Sequence, residues 1–185
     1  GIGSAAAGKL SGRNVEFGIV PPAAIGLTVS SAGLYFADSL PATAFLILLM
    51  GFSAGLFVVP IYAFIQLRSP ADHRGEILAA ANFLGWIGVL LSSLLIFTLS
   101  AWLQLSAGQV FMALGILTVV PTIVTICILP DFFVRFLIIV LTRLCYRITV
   151  HGPENVPVAQ PALLVCNHVS RVDALILAAT QQRRI

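Results

Sequence analysis

Three stretches of more than 20 residues in this chain carry no charged side chain: Phe17 to Ala37 is 21 residues, Ser39 to Leu67 is 29, and Ile77 to Pro130 is 54. About 20 apolar residues suffice to cross the hydrocarbon core of a bilayer, so each run holds at least one membrane span. Over all 185 residues, 59% are hydrophobic and 9% charged, against roughly 25% charged in an average soluble domain. So little charge cannot cover a water-facing surface, which excludes a single soluble domain and a disordered chain. Cys127, Cys145 and Cys166 lie 18 and 21 residues apart with no CxxC pair. They suggest neither a metal site nor a redox couple and read as small apolar residues facing a reducing side.

The 54-residue run is too long for one helix. Ala101 to Gln109 breaks it with small and polar residues beside Trp102, which suits a membrane interface. The pattern predicts spans at about 17–37, 42–66, 76–101 and 109–129, with residues 1–8 as the tail of an earlier helix. The bundle is therefore an all-α polytopic one. All ten Lys and Arg fall on one side of it: Lys9 and Arg13 in the first loop, Arg68 and Arg74 in the third, and Arg135, Arg143, Arg147, Arg171, Arg183 and Arg184 after the last span. The second loop has only Asp38, and the fourth has no charge. By the positive-inside rule the basic side is cytoplasmic, as in a bacterial inner membrane, which puts residues 131–185 in the cytoplasm. The net charge of +3 then reflects orientation and is no argument for nucleic acid. The chain starts without Met and stops inside an apparent element, so it reads as an internal fragment.

After Pro130 the composition changes. The segment 131–149 carries Arg135, Arg143 and Arg147, too many charges for a span, among Phe132, Phe133, Phe136, Leu137 and Ile139. It reads as a helix lying on the cytoplasmic leaflet, with Arg143 and Arg147 on one face. His151 to Pro157 is turn chemistry, Ala162 to Cys166 a strand-like run, and Ala174 to Thr180 a helix-like one. An α/β domain starts here, which divides the chain into a membrane part, 1–130, and a second part, 131–185.

Within the membrane part, Gly51 and Gly55 have GxxxG spacing, and Gly85 and Gly88 lie on the next span; close helix packing is the reading. Pro21, Pro22, Pro60 and Pro121 are candidate kinks. Glu16, Asp38, Asp72 and Glu76 sit at span ends, and no ionisable residue lies mid-membrane, where ion-coupled carriers keep theirs. Asn82 is the one strongly polar residue well inside a span, and a hydrogen bond to another helix is its expected role. Such an apolar path suits an amphiphile better than a sugar or an ion. The loop Gly8-Lys9-Leu10-Ser11-Gly12-Arg13 resembles the GxLxDR signature of major facilitator superfamily transporters through Gly8, Leu10 and Arg13, with Gly12 where that family often has Asp. Taken as the later of its two copies, it makes the four spans helices 9 to 12 of that fold. A tight loop with two positive-inside residues is the alternative.

Asn167-His168-Val169-Ser170-Arg171-Val172-Asp173 lies between the strand-like run and the last helix. His168 and Asp173 are about 140° apart on a continuous helix, so a turn is needed to bring them together. The chemistry would be general-base catalysis, with the imidazole taking a proton from an alcohol that attacks a thioester and the carboxylate holding the tautomer. Ser170 and Asp173 also have the SxxD spacing of a capping box, and the two readings are compatible. HxxxxD spacing alone is a weak signal; Asn167 before the His and Ser170 two after it make the motif specific. The segment resembles the NHxSxxD motif of glycerolipid acyltransferases, including the 1-acylglycerol-3-phosphate and 2-acylglycerophosphoethanolamine types, as do Gly152, Glu154, Asn155 and Pro157 and the run 161–166. The resemblance makes His168 the base and Asp173 its partner, with Asn167 and Ser170 as supporting motif residues. It implies acyl-CoA or acyl carrier protein as donor and no bound cofactor or metal.

A facilitator-type carrier running into such an acyltransferase resembles the bacterial fusion of a lysophospholipid transporter with its acyltransferase. This implies that lysophospholipid and membrane lipid are the partners, that lysolipid is brought to the cytoplasmic leaflet, and that re-acylation traps it there. The later acyltransferase motifs fall beyond Ile185, so this piece alone is expected to be inactive. Two alternatives stay open: a transporter of amphiphiles with a non-catalytic cytoplasmic tail, and an acyltransferase whose upstream helices only anchor it.

Overall fold

The computed structural model describes residues 1–11, 16–152, 165–167 and 169–180. Helix α1 is Ile2–Ser11, α2 is Val20–Gly33 flanked by 3-10 turns at Phe17–Ile19 and Leu34–Phe36, and α3 is Leu40–Arg68. Helix α4, Arg74–Phe97, continues into a π-helical turn at Thr98–Trp102. Then come α5, Ala107–Ile128, α6, Pro130–Cys145, and α7, Asp173–Thr180. Four of these stretches are long and apolar enough to cross a membrane: Phe17–Phe36, Leu40–Arg68, Arg74–Trp102 and Ala107–Ile128. They match the four spans that the uncharged runs predict.

Local chemistry sets the ends. The Glu16 carboxylate accepts from Gly18 N at the start of the first span, and Ser39 Oγ accepts from Ala42 N at the start of α3. Pro21 and Pro22 lie in the first turn of α2, where no N–H is needed, so they start the helix instead of kinking it. Pro60 and Pro121 are inside α3 and α5. Helix α5 begins at Ala107, two residues before the sequence expectation, because Ser106 and Gln109 form a reciprocal capping box. The preceding turn needs Gln104 at φ 51°, and its Nε2 donates to the Ala101 carbonyl at 2.6 Å.

The bundle is centred on α2, which packs against α3 on one side and α5 on the other, while α1 crosses α3. Small residues make these contacts. A Cβ on Gly55 would lie 2.5 Å from Ser4 N, and one on Gly3 would collide with the Phe52 carbonyl, so α1 and α3 meet backbone to backbone. At Gly115 a Cβ would lie 2.8 Å from Ala32 N, the same kind of approach between α5 and α2. Of the GxxxG pair, Gly55 is in a contact of this kind, whereas a Cβ on Gly51 or Gly88 would meet open space.

The polar cross-links differ from the expectation. Asn82 is exposed on α4 and makes no side-chain hydrogen bond among the described residues. The links between helices come from hydroxyls: Thr28 and Thr122 share a 2.8 Å hydrogen bond, and Ser31 Oγ donates to the Phe111 carbonyl at 3.0 Å. Asn82 misses this role because α4 has no buried residue and meets its neighbour α3 only lightly.

Candidate active site

The bundle has two unlike ends. At one, Tyr35 at the close of the first span meets Gly108 at the opening of α5. At the other, Phe17, Phe64 of α3 and Phe132 of α6 form an aromatic cluster, with ring centroids 5.0 Å apart for Phe17–Phe64 and 5.5 Å for Phe17–Phe132, both edge to face. The Arg68 guanidinium lies 5.8 Å from the centre of the Phe64 ring. This basic end therefore gathers the start of α2, the end of α3 and the start of α6 at one level.

Helix α6 begins cleanly because Pro130 occupies its first turn and Asp131 follows, while Arg143 sits in the last turn, each charge complementing the helix dipole. It lies against Phe17–Ile19 at Gly18, where a Cβ would strike Phe136 and the Phe132 carbonyl. The helix stops at Cys145, short of the expected 149: Tyr146 is extended, at φ −132° and ψ 139°. Arg147 thus lies beyond the helix and does not share a helical face with Arg143. The β-branched Ile148, Thr149 and Val150 that follow favour extended chain, and Gly152 takes a left-handed φ of 69°, as a turn requires. Glu154, Asn155 and Pro157 lie outside the described residues, as do Ala162 to Leu164 of the strand-like run; Val165 and Cys166 are exposed and form no strand.

Helix α7 packs on α6, so the motif segment is carried on a platform docked to the bundle. The predicted turn is present: Asp173 N donates to the Ser170 carbonyl at 3.1 Å, and α7 starts at Asp173. The Asp173 carboxylate folds back, its Oδ2 accepting from Val169 N and Ser170 N, both at 2.7 Å. Distances this short are typical of charge-assisted hydrogen bonds. The Ser170 Oγ accepts from Val172 N at 3.5 Å, so one arm of the capping box is made in full and the hydroxyl arm reaches the neighbouring amide. Asn167 is exposed, Val169 is 88% exposed, and His168 lies outside the described residues. What the structure brings together is a carboxylate held against the backbone immediately after position 168.

The loop signature is placed differently from expectation. Gly8 and Leu10 belong to α1, which runs through Ser11, so the first loop starts later than Gly8. Leu10 is 51% exposed, a Cβ on Gly8 would meet open space, and Arg13 lies outside the described residues. Sequence reasoning passed over Gly18 and the phenylalanine cluster, which join α6 to the bundle; only the crossing of three helix ends makes them visible.

Residues 147–185 match a family model described as Acyltransferase. No curated protein and no solved structure matches the chain. The match begins just beyond the end of α6 and contains the whole Asn167–Asp173 motif, which supports an acyltransferase part behind four membrane-type helices.

Proposed function

We propose that the chain belongs to a membrane protein that acylates lysophospholipid at the cytoplasmic face of a bacterial inner membrane, with His168 as general base and Asp173 as its positioning partner. The observation that carries this reading is the Asp173 carboxylate folded onto Val169 N and Ser170 N, within a segment that matches an acyltransferase family. Anchored by two backbone amides, the carboxylate has a fixed place from which to orient an imidazole at position 168. The lysolipid hydroxyl loses its proton to that imidazole as its oxygen bonds to the thioester carbonyl carbon. The tetrahedral intermediate then collapses, the carbon–sulfur bond breaks, and the thiolate of CoA or acyl carrier protein leaves and takes up the proton. Ser170 supports the turn through its carbonyl and hydroxyl, and Asn167 is a supporting residue of the motif.

The membrane helices, in this reading, form the later part of a facilitator-type carrier that delivers lysolipid to the same leaflet. The one-sided distribution of Lys and Arg supports that orientation, and the Gly8–Leu10–Arg13 signature supports the family. One observation favours a second reading. The Asp173 to Ser170 N bond is also what a helix cap makes, as in an amphiphile transporter with a non-catalytic tail.

The test uses the intact protein in inverted membrane vesicles, following labelled lysophosphatidylethanolamine plus acyl donor into diacyl lipid. His168→Ala is expected to lower product formation by about 10²- to 10⁴-fold, the range for a general base, with lysolipid uptake retained. Asp173→Asn is expected to lower it less. Product formation unchanged by His168→Ala would leave the cap reading in its place.

A further inference from the structure

A crevice of about 210 Å³ opens between α2, α3 and α5, lined by Ala24, Leu27, Phe57, Thr118, Thr122 and Thr125 together with Pro121. Its place in the bilayer follows from the helix ends. Thr125 is three residues from the end of α5, Thr118 ten residues from it, and Ala24 seven from Phe17. At 1.5 Å per residue these positions are about 5 to 15 Å below the basic end, which is one leaflet of a hydrocarbon core ~30 Å thick. The crevice thus lies in the leaflet nearest α6 and the motif segment it carries.

The threonines give the wall a polar look on paper, but their hydroxyls are already engaged. Thr118 Oγ1 donates to the Gly115 carbonyl at 2.8 Å and Thr125 Oγ1 to the Pro121 carbonyl at 2.7 Å. Thr122 Oγ1 has the Thr28 hydroxyl at 2.8 Å and the Ala24 carbonyl at 3.4 Å. No hydroxyl proton is left for a ligand, and no charged side chain lines the space. The hydroxyl oxygens can still accept, but with no free donor and no charge a sugar, a headgroup or an ion would recover little of the hydration it loses there. A hydrocarbon chain would lose nothing and would gain packing contacts.

From this we infer that the crevice is an acyl-chain site, and that its occupant is the single chain of a lysophospholipid. Its volume is below the roughly 300–1,000 Å³ of small-molecule sites, room for a stretch of one chain and not for two side by side. The choice of lysophospholipid over resident diacyl lipid rests on the proposed acylation; the hydrocarbon chemistry of the site does not. A lysolipid held by its chain there would keep its glycerol hydroxyl at the surface on which α6 and α7 lie.

The experiment reads binding without chemistry. Trp86 and Trp102, the two tryptophans of these 185 residues, and any others of the intact protein are replaced by Phe, and Phe57→Trp supplies a reporter in dioleoylphosphatidylcholine vesicles. Lysophosphatidylethanolamine with a brominated chain is expected to quench the introduced indole saturably, and unbrominated lysolipid to reverse the quenching. Filling the crevice from α2 with Ala24→Phe, or independently from α5 with Thr125→Phe, is expected to raise the half-quenching concentration at least about tenfold. Quenching that tracks brominated diacyl lipid equally well, that unbrominated lysolipid does not reverse, or that persists in whichever filled variants insert would overturn the site. His168→Ala is expected to leave the quenching unchanged, so loss of acylation and loss of chain binding are separate results.

Discussion

Half of the span Phe17–Phe36 is buried among its neighbours and none of the span Arg74–Trp102 is, although the second is the more hydrophobic of the two. In water that order would be reversed, because the more apolar helix would be driven inside. In a bilayer the lipid tails are as apolar as leucine, and association depends on how closely backbones approach and which hydroxyls find partners. The buried residues of α2 accordingly include Ala23, Ala24, Ser30 and Ser31, with Thr28 and Ser31 bonded across to α5. Helix α4 presents Phe83, Leu84, Trp86 and Leu90 outward, and its Gly88 meets no neighbour.

The sharpest way to break this comparison is to place the same side chain in each environment. Gly115→Leu pushes into Ala32 and is expected to cost about 1–3 kcal/mol or more through overpacking. Gly88→Leu on α4 is expected to stay within about 0.5 kcal/mol. Unfolding of the detergent-solubilised protein by titrated denaturing detergent measures both, and equal effects would show that burial of α2 contributes no special stability. Gly18→Val comes next: it is expected to displace α6 at a cost of ~1–3 kcal/mol, read as faster amide exchange or proteolysis at residues 130–145 with the α2–α5 contact unchanged. Exchange rates identical to wild type would mean that α6 does not depend on the Phe17–Phe132 joint.

Thr28→Val should have a smaller effect, because interhelical hydrogen bonds in membranes average about 0.6 kcal/mol and reach ~1.7. A loss beyond that range would mark the Thr28–Thr122 pair as more than one hydrogen bond among several. Smallest of all, Asn82→Leu is expected to change stability by less than about 0.5 kcal/mol, since Asn82 has no partner within the described helices. A large loss would reveal a contact that the exposed face of α4 makes with something outside this bundle.

The legible part of the fold was the part written in composition. Three uncharged runs, the longest of them divided, resolve into four spans, and the break at Ala101–Gln109 falls where the chain turns, with the Ser106–Gln109 box starting α5 ahead of the apolar run. Interior packing was less legible. Gly51 and Gly55 have the same spacing signal, but only Gly55 faces a neighbour, since which face of α3 meets α1 depends on the crossing of two helices and not on either sequence. The end of α6 is hard to read for a related reason: Phe132 to Arg147 keeps a helical pattern of apolar and basic residues, and the local β-branched run after Tyr146 overrides it.

At the candidate site the motif, its need for a turn and the capping potential of Ser170 and Asp173 were all present in seven residues. That the carboxylate would take the amides of Val169 and Ser170 together, with the Ser170 hydroxyl turning to Val172 instead, required the chain path. The sequence by itself determined that four stretches of these residues are long and apolar enough to cross a membrane, with Lys and Arg confined to their ends and beyond, because transfer of charge into hydrocarbon is costly enough to be read residue by residue. Only the tertiary structure decided which helix lies at the centre, where a crevice opens and how α6 holds the motif to the bundle. Those outcomes depend on close approach between residues far apart in sequence, for which glycine, threonine and phenylalanine carry no address of their own.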